Sequence, residues 1–283
     1  MDPIDRTEIT PQGGAGGCTC GAAAAAGEAQ HVYALGQIAT RFPHLSIEKE
    51  YLQALGRGDA AGLTDRESLH RTLSDKNNRY LARQMCWVFS IESIDTYLLM
   101  PRGPEDLDLL IEGIRPRPKS LDVDLVIGRK VGMSTPAMCN GVVLPMVAFD
   151  QIYSFDVESL VKAIPRPEGM EAERFTAAAE ELFHRVMQLA DNAGADDEHR
   201  ALNYLLVRYP AVYSLTAERY ANNSALRNVE VKTSRLSSTR KIVDVVFAYA
   251  HRVTDITDKY FVRVDVTEEF PFLAGKLQPY FDR

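Results

Sequence analysis

Hydrophobic and polar positions change their rhythm several times along this chain. From His31 to Phe42, "HVYALGQIATRF" mixes β-branched, aromatic and helix-forming residues, so its periodicity fits a strand or a helix. Between Ile47 and Leu55 the spacing predicts a short helix, stopped by the Gly-rich "GRGDAAG". A second helix is expected after Thr64, where "TDRE" sets a Glu three residues beyond a capping Thr. "MCWVFSIES" and "DTYLLMP" are short, apolar and β-rich, and predict a hairpin.

"PEDLDLLIEGI" begins with Pro and acids, as helices do, and places Leu107, Leu110, Ile111 and Ile114 on one face. "LDVDLVIGRKVG" and "GVVLPMVAFDQIYSF" alternate with period two, Pro145 being assigned to an edge or bulge. The middle is helical. Phe175, Leu182, Phe183, Val186 and Leu189 share a stripe, and a following helix breaks or kinks at Pro210, which lacks an amide proton. "LRNVEVKTSRL", "RKIVDVVFAYAHRV" and "KYFVRVDVTEEF" then read as neighbouring strands. The expected fold is α+β: two strand-rich regions, a helical insert between them and an antiparallel C-terminal meander.

Residues 1–28 show no periodicity and are rich in Gly and Ala, which predicts a flexible arm before a domain spanning 29–283. A chain of 283 residues, 46% hydrophobic and 25% charged, can bury a sizeable core. Its net charge of −7, with Lys and Arg scattered, argues against a nucleic-acid or anionic-membrane partner. No run of 18 apolar residues occurs and the N-terminus is acidic and polar, so the expectation is a cytoplasmic protein with reduced thiols.

Candidate chemistry is sparse. The sequence lacks GxSxG, HExxH, GxxxxGK[ST] and GxGxxG, and its six histidines stand far apart, with His184 read as a boundary or surface residue. Asp106 and Asp108 point apart on a helix; Asp122 and Asp124 share one face of a strand, the pattern of a solvent-facing edge. Cys139 lies in "GMSTPAMCNG", a loop-like stretch, but no neighbouring base is apparent to activate it. Four cysteines, Cys18, Cys20, Cys86 and Cys139, could share one zinc as thiolates, or Cys86 and Cys139 could be unrelated core residues. Met133, Met138, Met146 and Tyr153, with Asn140 and Gln151, form a candidate partner-binding surface, since adaptable side chains are concentrated there; the alternative is plain core.

"VYALGQI", "RQMCWVFSIESIDTYLLMPR", "DLDLLIEGIRP", "DVDLVIGRKVG" and "PAMCNGVVLPMVAFDQIYSFDVESLVKAIPRP" resemble the C-terminal domain of unknown function in cyanobactin maturation proteases of the PatA and PatG type. The resemblance runs from about Val32 to the C-terminus, and "MCNGVVLPMVAFDQIYSFD" is its most specific block. In that family the domain usually follows a subtilisin-like protease. No Asp, His and Ser protease segments precede it in this sequence, so the expectation is a stand-alone accessory protein without proteolytic activity. The resemblance implies work on ribosomally made, post-translationally modified peptides, with a precursor peptide or a modifying enzyme as partner and a homodimer compatible. It also implies that all four cysteines belong to a shared pattern, which favours structural zinc with residues 13–27 as its tether. Two functions compete: a non-catalytic scaffold that binds peptide or enzyme, for instance by strand addition at a sheet edge, and a peptide-modifying enzyme using Cys139 or a zinc-bound water.

Overall fold

The computed structural model describes residues 30–56, 62–117, 122–188 and 191–281; the arm, with Cys18 and Cys20, and Leu189 lie outside them. The undecided segment is a strand, β1 (His31–Arg41). After it come α1 (Leu45–Leu55), α2 (Asp65–Ser74) and α3 (Arg79–Gln84), then β2 (Cys86–Ile91) and β3 (Ile94–Met100). The expected capping box is present: the Thr64 hydroxyl accepts from the Glu67 amide, and the Glu67 carboxylate accepts from Thr64 N–H at 2.7 Å. β2 and β3 form the expected hairpin, turning at Glu92 and Ser93, both with positive φ.

Helix α4 (Pro104–Gly113) buries Leu107, Leu110 and Ile111. The long strands β4 (Val123–Met133) and β5 (Pro145–Phe155) follow. These five strands close into a barrel in the order β1-β2-β3-β5-β4, antiparallel except where β3 runs parallel to β5. Pro145 is the first residue of β5, opposite Met133 and beside a break in register, where its missing N–H costs no ladder bond. The barrel interior holds Val32, Ala34, Ile38, Trp87, Phe89, Tyr97, Val126 and Phe149, packed with apolar residues of α1–α4.

The second half is a helical layer, α5 (Val157–Ala163), α6 (Ala172–Met187), α7 (Asp197–Arg208) and α8 (Ala211–Ala221), followed by β6 (Ser224–Thr233), β7 (Ile242–His251), β8 (Thr257–Asp265) and β9 (Phe272–Pro279). Pro210 breaks the helix as expected and becomes the N-cap of α8. The last four strands are an antiparallel meander in chain order. Outer-face residues of the barrel (Tyr33, Leu35, Leu125, Ile127) share one core with α6–α8 and with Val245, Phe247, Val262 and Val264 of the meander.

Helix α7 is the hinge of this packing. Asn203, fully buried, donates to the Tyr33 carbonyl at 2.8 Å, and Arg200 donates to the Val266 carbonyl at 2.7 Å, so one helix ties barrel to sheet. Gly194, at φ 66°, accepts from Tyr33 N–H and lies so close to Ala34 that a Cβ would fall 2.5 Å from its Cα.

One expectation is overturned. Asp122 and Asp124 are buried rather than solvent-facing. Asp124 accepts from Ile38 N–H at 3.0 Å, from the Ser154 hydroxyl and from the Arg117 guanidinium. Arg66 completes the network by donating to the carbonyls of Ile38, Gly113 and Arg115. Alternation alone could not reveal this, because a barrel strand is covered on both faces: helices lie outside β4, while its inner face meets the barrel lumen. Burial pushes the Asp124 carboxyl above its ordinary range, and Arg117, Ser154 and the Ile38 amide pull it back.

Candidate functional site: a loop fastened to the barrel wall

The outer face of β2 and β3 would leave Cys86, Val88 and Leu98 uncovered if nothing crossed it. The connection from β4 to β5 does so. Ser134 and Leu144 clasp its ends, the Ser134 amide donating to the Leu144 carbonyl and the Leu144 amide to the Ser134 hydroxyl oxygen, both at 2.9 Å. Inside the clasp, Gly141 N–H donates to the Pro136 carbonyl and Val142 N–H to the Cys139 carbonyl, with Asn140 at φ 44° between them. Asn tolerates that left-handed conformation better than most residues, which accounts for its place in the turn.

This winding drives Cys139 inward, where it forms a disulfide with Cys86, their Cα atoms 5.8 Å apart. The pair is buried with Val88 and Leu98, flanked by Met100, Val142, Leu144 and Met146. The expectation of reduced thiols is thereby corrected. Two cysteines 53 residues apart meet because a loop from one hairpin lies on the wall made by another. Cys139 has no free thiolate to serve as a nucleophile while it is bonded to Cys86.

Met133 is 56% exposed, Met138 39% and Val143 47%, and all three rim the loop. Beside them a cavity of about 490 Å³ is lined by Arg41, His44, Leu45, Glu48, Cys139 and Asn140, among others. Arg41, His44 and Glu48 were missed in the sequence because they come from β1 and α1, remote from the loop along the chain. Nothing in the local pattern connects them to it.

The candidate partner surface is only partly assembled. Met138 and Asn140 belong to the loop, Met133 ends β4 at its margin, and Met146 packs beneath it. Gln151 and Tyr153 lie farther along β5, roughly 17 and 24 Å from Met146 at strand rise. Gln151 is exposed, and Tyr153 has the Arg208 guanidinium 5.1 Å from its ring centre. They belong to a different part of the barrel wall.

Among the described residues no group of three or more His, Cys, Asp or Glu could hold a metal ion. Cys86 and Cys139 alone do not make a zinc shell; they would need Cys18 and Cys20. Cys86 pairs with Arg41 at the end of β1 opposite to where the arm joins. The strand covers roughly 34 Å, and eleven residues from His31 back to Cys20 span at most about 36–40 Å. An intramolecular shell is within reach only for a nearly straight tether.

No helix among the described residues is long and apolar enough to cross a membrane. In class, the molecule is an α+β domain in which a closed five-stranded barrel is joined by helices to an open four-stranded meander. A solved structure described as "PatG Domain of Unknown Function" shares this fold, with a TM-score of 0.68 at 20% sequence identity over 88% of this chain and 98% of that one. Residues 169–280 match the family model described as PatG C-terminal, so this part of the chain is similar to that family. The matched stretch begins just before α6, so for the barrel the likeness is one of fold. No curated protein matches the sequence.

Proposed function

We propose that this protein is a non-catalytic accessory module of cyanobactin-type peptide biosynthesis, which holds a precursor peptide at the loop between β4 and β5. The PatG-type fold and the match over residues 169–280 support the pathway. The observation that carries the binding role is the loop itself: clasped, disulfide-fastened and yet presenting Met133, Met138 and Val143 to solvent beside a cavity. A rigid loop with adaptable apolar tips loses little entropy when it binds. Strand addition is disfavoured here, because β5 is hydrogen-bonded to a neighbour on each side and a closed barrel offers no edge.

The test is fluorescence anisotropy with a labelled precursor peptide from the same biosynthetic cluster. Met133→Ser with Met138→Ser is expected to weaken binding about tenfold while leaving the melting temperature unchanged. Equal affinity of the variant and the parent refutes the loop as the site.

Structural zinc is the second reading, favoured by the meeting of Cys86 with Cys139. In it, Cys18 and Cys20 supply the other two thiolates and the pair is reduced. Thiol titration of the denatured protein, with metal analysis alongside, separates the two states. Two free thiols and no zinc indicate the disulfide with an independent CxC pair, whereas four thiols and one zinc per chain indicate the metal shell.

A further inference from the structure

On the side of the meander turned away from the helices, a cross-strand row runs Lys232, Asp244, Arg263 and Gly275 over β6, β7, β8 and β9. Opposite charges set side by side stabilise such a row; Arg263 Nε donates to Asp244 at 3.1 Å, and Lys232 is 3.2 Å from Glu230. The row ends in a residue without a side chain. A Cβ at Gly275 would come within 3.2 Å of the Arg263 Cβ, so glycine leaves that end of the face low.

Beyond β9 the Tyr280 amide still donates to the Lys259 carbonyl at 2.8 Å, continuing the β8–β9 ladder, and its side chain lies over this face. Tyr280 stands edge-on to Phe261, with ring centres 5.6 Å apart, and Lys232 Nζ lies 5.1 Å from the Tyr280 ring centre. On this face is a cleft of about 560 Å³. Among the described residues that line it, the cations are Lys232, Arg235 and Arg263, the only carboxylate is Asp244, and the walls include Phe261, Tyr280 and Phe281. Phe281 is 80% exposed, and Arg235 is exposed with no acidic partner among the described residues. In a chain of net charge −7 this cleft reverses the local sign.

We infer that this cleft is a second binding site, independent of the barrel loop, and that it takes an extended acidic peptide segment bearing aromatic or large apolar side chains. The charge pattern selects the sign of the ligand, and the rings select its apolar residues. An extended peptide presents every second side chain to one face, roughly 7 Å apart. Carboxylates at that spacing can meet Arg235 and Lys232 while a ring between them lies on Tyr280 or Phe281. A polyanion such as RNA fits less well: two of the three cations already have acidic neighbours, and the protein as a whole repels a phosphate backbone. The edge of β9 is a poorer seat, since its pairing with β8 breaks register twice and the Leu277 amide is taken by the Tyr209 hydroxyl oxygen at 3.0 Å.

Fluorescence anisotropy tests this with a labelled short peptide of Asp, Glu, Phe and Leu, a counterpart with Lys replacing each acid, and a labelled oligouridylate. The intact protein is expected to bind the acidic peptide at least about tenfold more tightly than the other two, with affinity falling as salt rises. Arg235→Glu and Lys232→Glu should each lower that affinity about tenfold or more. Arg235→Ala, at an exposed position that leaves the fold intact, should lower it less, and Glu168→Lys, in the groove between α6 and α8, should leave it unchanged. Equal binding of the acidic and basic peptides, tighter binding of oligouridylate, or an Arg235→Glu variant that binds as the parent does would each overturn the inference. Met133→Ser with Met138→Ser serves as the cross-check: it should affect precursor binding at the loop and leave the acidic peptide's affinity unaltered.

Discussion

The barrel and the meander solve the problem of stability differently. Within the barrel, a buried Arg66–Arg117–Asp124 network and the Cys86–Cys139 bond supplement the apolar interior. In the second half, apolar layers dominate: the inner face of the sheet meets α6, α7 and α8 through Val245, Phe247, Val262, Leu182, Phe183 and Leu205. The two halves also differ at their margins. A closed barrel has no edge for strand addition, whereas the open meander keeps a face and two edges. Stability therefore rests on polar and covalent ties in one half and on layered apolar packing in the other.

The largest effect should come from the barrel's buried network. Asp124→Ala removes the acceptor of the Ile38 amide and the Ser154 hydroxyl and leaves Arg117 buried without its counter-charge. Urea unfolding should show a loss of about 3–5 kcal/mol. Replacing both partners, Arg117→Met with Asp124→Leu, should recover part of that loss; a double variant as unstable as the single one would show that the amide and hydroxyl matter more than the charge.

Next comes the covalent tie. Cys139→Ser opens a loop closed over a separation of 53 residues and should cost about 2–4 kcal/mol. Its effect should be confined to the barrel, so hydrogen exchange in β6–β9 should stay as slow as in the parent. Exchange that accelerates equally in both halves would mean that they unfold as one unit.

At the junction, Gly194→Ala places a Cβ against Ala34 at a positive φ and should cost about 1–3 kcal/mol. Unlike the loss of the disulfide, it should speed exchange in both halves. A change of less than a few tenths of a kcal/mol would show that the segment shifts freely.

The smallest effect is a pH dependence between the halves. Burial, reinforced by the neighbouring Asp150, pushes the Glu269 carboxyl up to about 7, so in the folded protein it holds a proton that it would release when unfolded. Asp150, held low chiefly by its hydrogen bond to Glu269, with Arg102 assisting, is the ionised partner. Because the folded value of Glu269 lies above its ordinary 4.5, its contribution is fully present below pH 4.5 and fades as pH rises through about 7. The melting temperature should therefore decline over that interval, and Glu269→Gln should flatten the decline. A slope unchanged in Glu269→Gln would assign the effect to other groups.

Much of this architecture was legible in the pattern of residues. The Thr64–Glu67 capping box, the break at Pro210, the β2–β3 hairpin and the C-terminal meander follow from local rules that act within a few residues: side chains that cap, rings that block a hydrogen bond, alternation that matches a pleat. What the sequence could not decide was which faces would be covered. Alternation in β4 made Asp124 look like a surface residue; only closure of the barrel shows that its inner face meets Arg117 and Ile38. Cys86 and Cys139 were visible as thiols, but their pairing depends on a loop folding over a wall built from distant strands. The cations of the meander cleft come from β6, β8 and the turn after β6, scattered along the chain until strand register sets Lys232 and Arg263 in one row and the turn brings Arg235 to the same cleft. Local chemistry determines the elements; burial, partnership and charge at a site are properties of the assembled layers, because they depend on which atoms displace water.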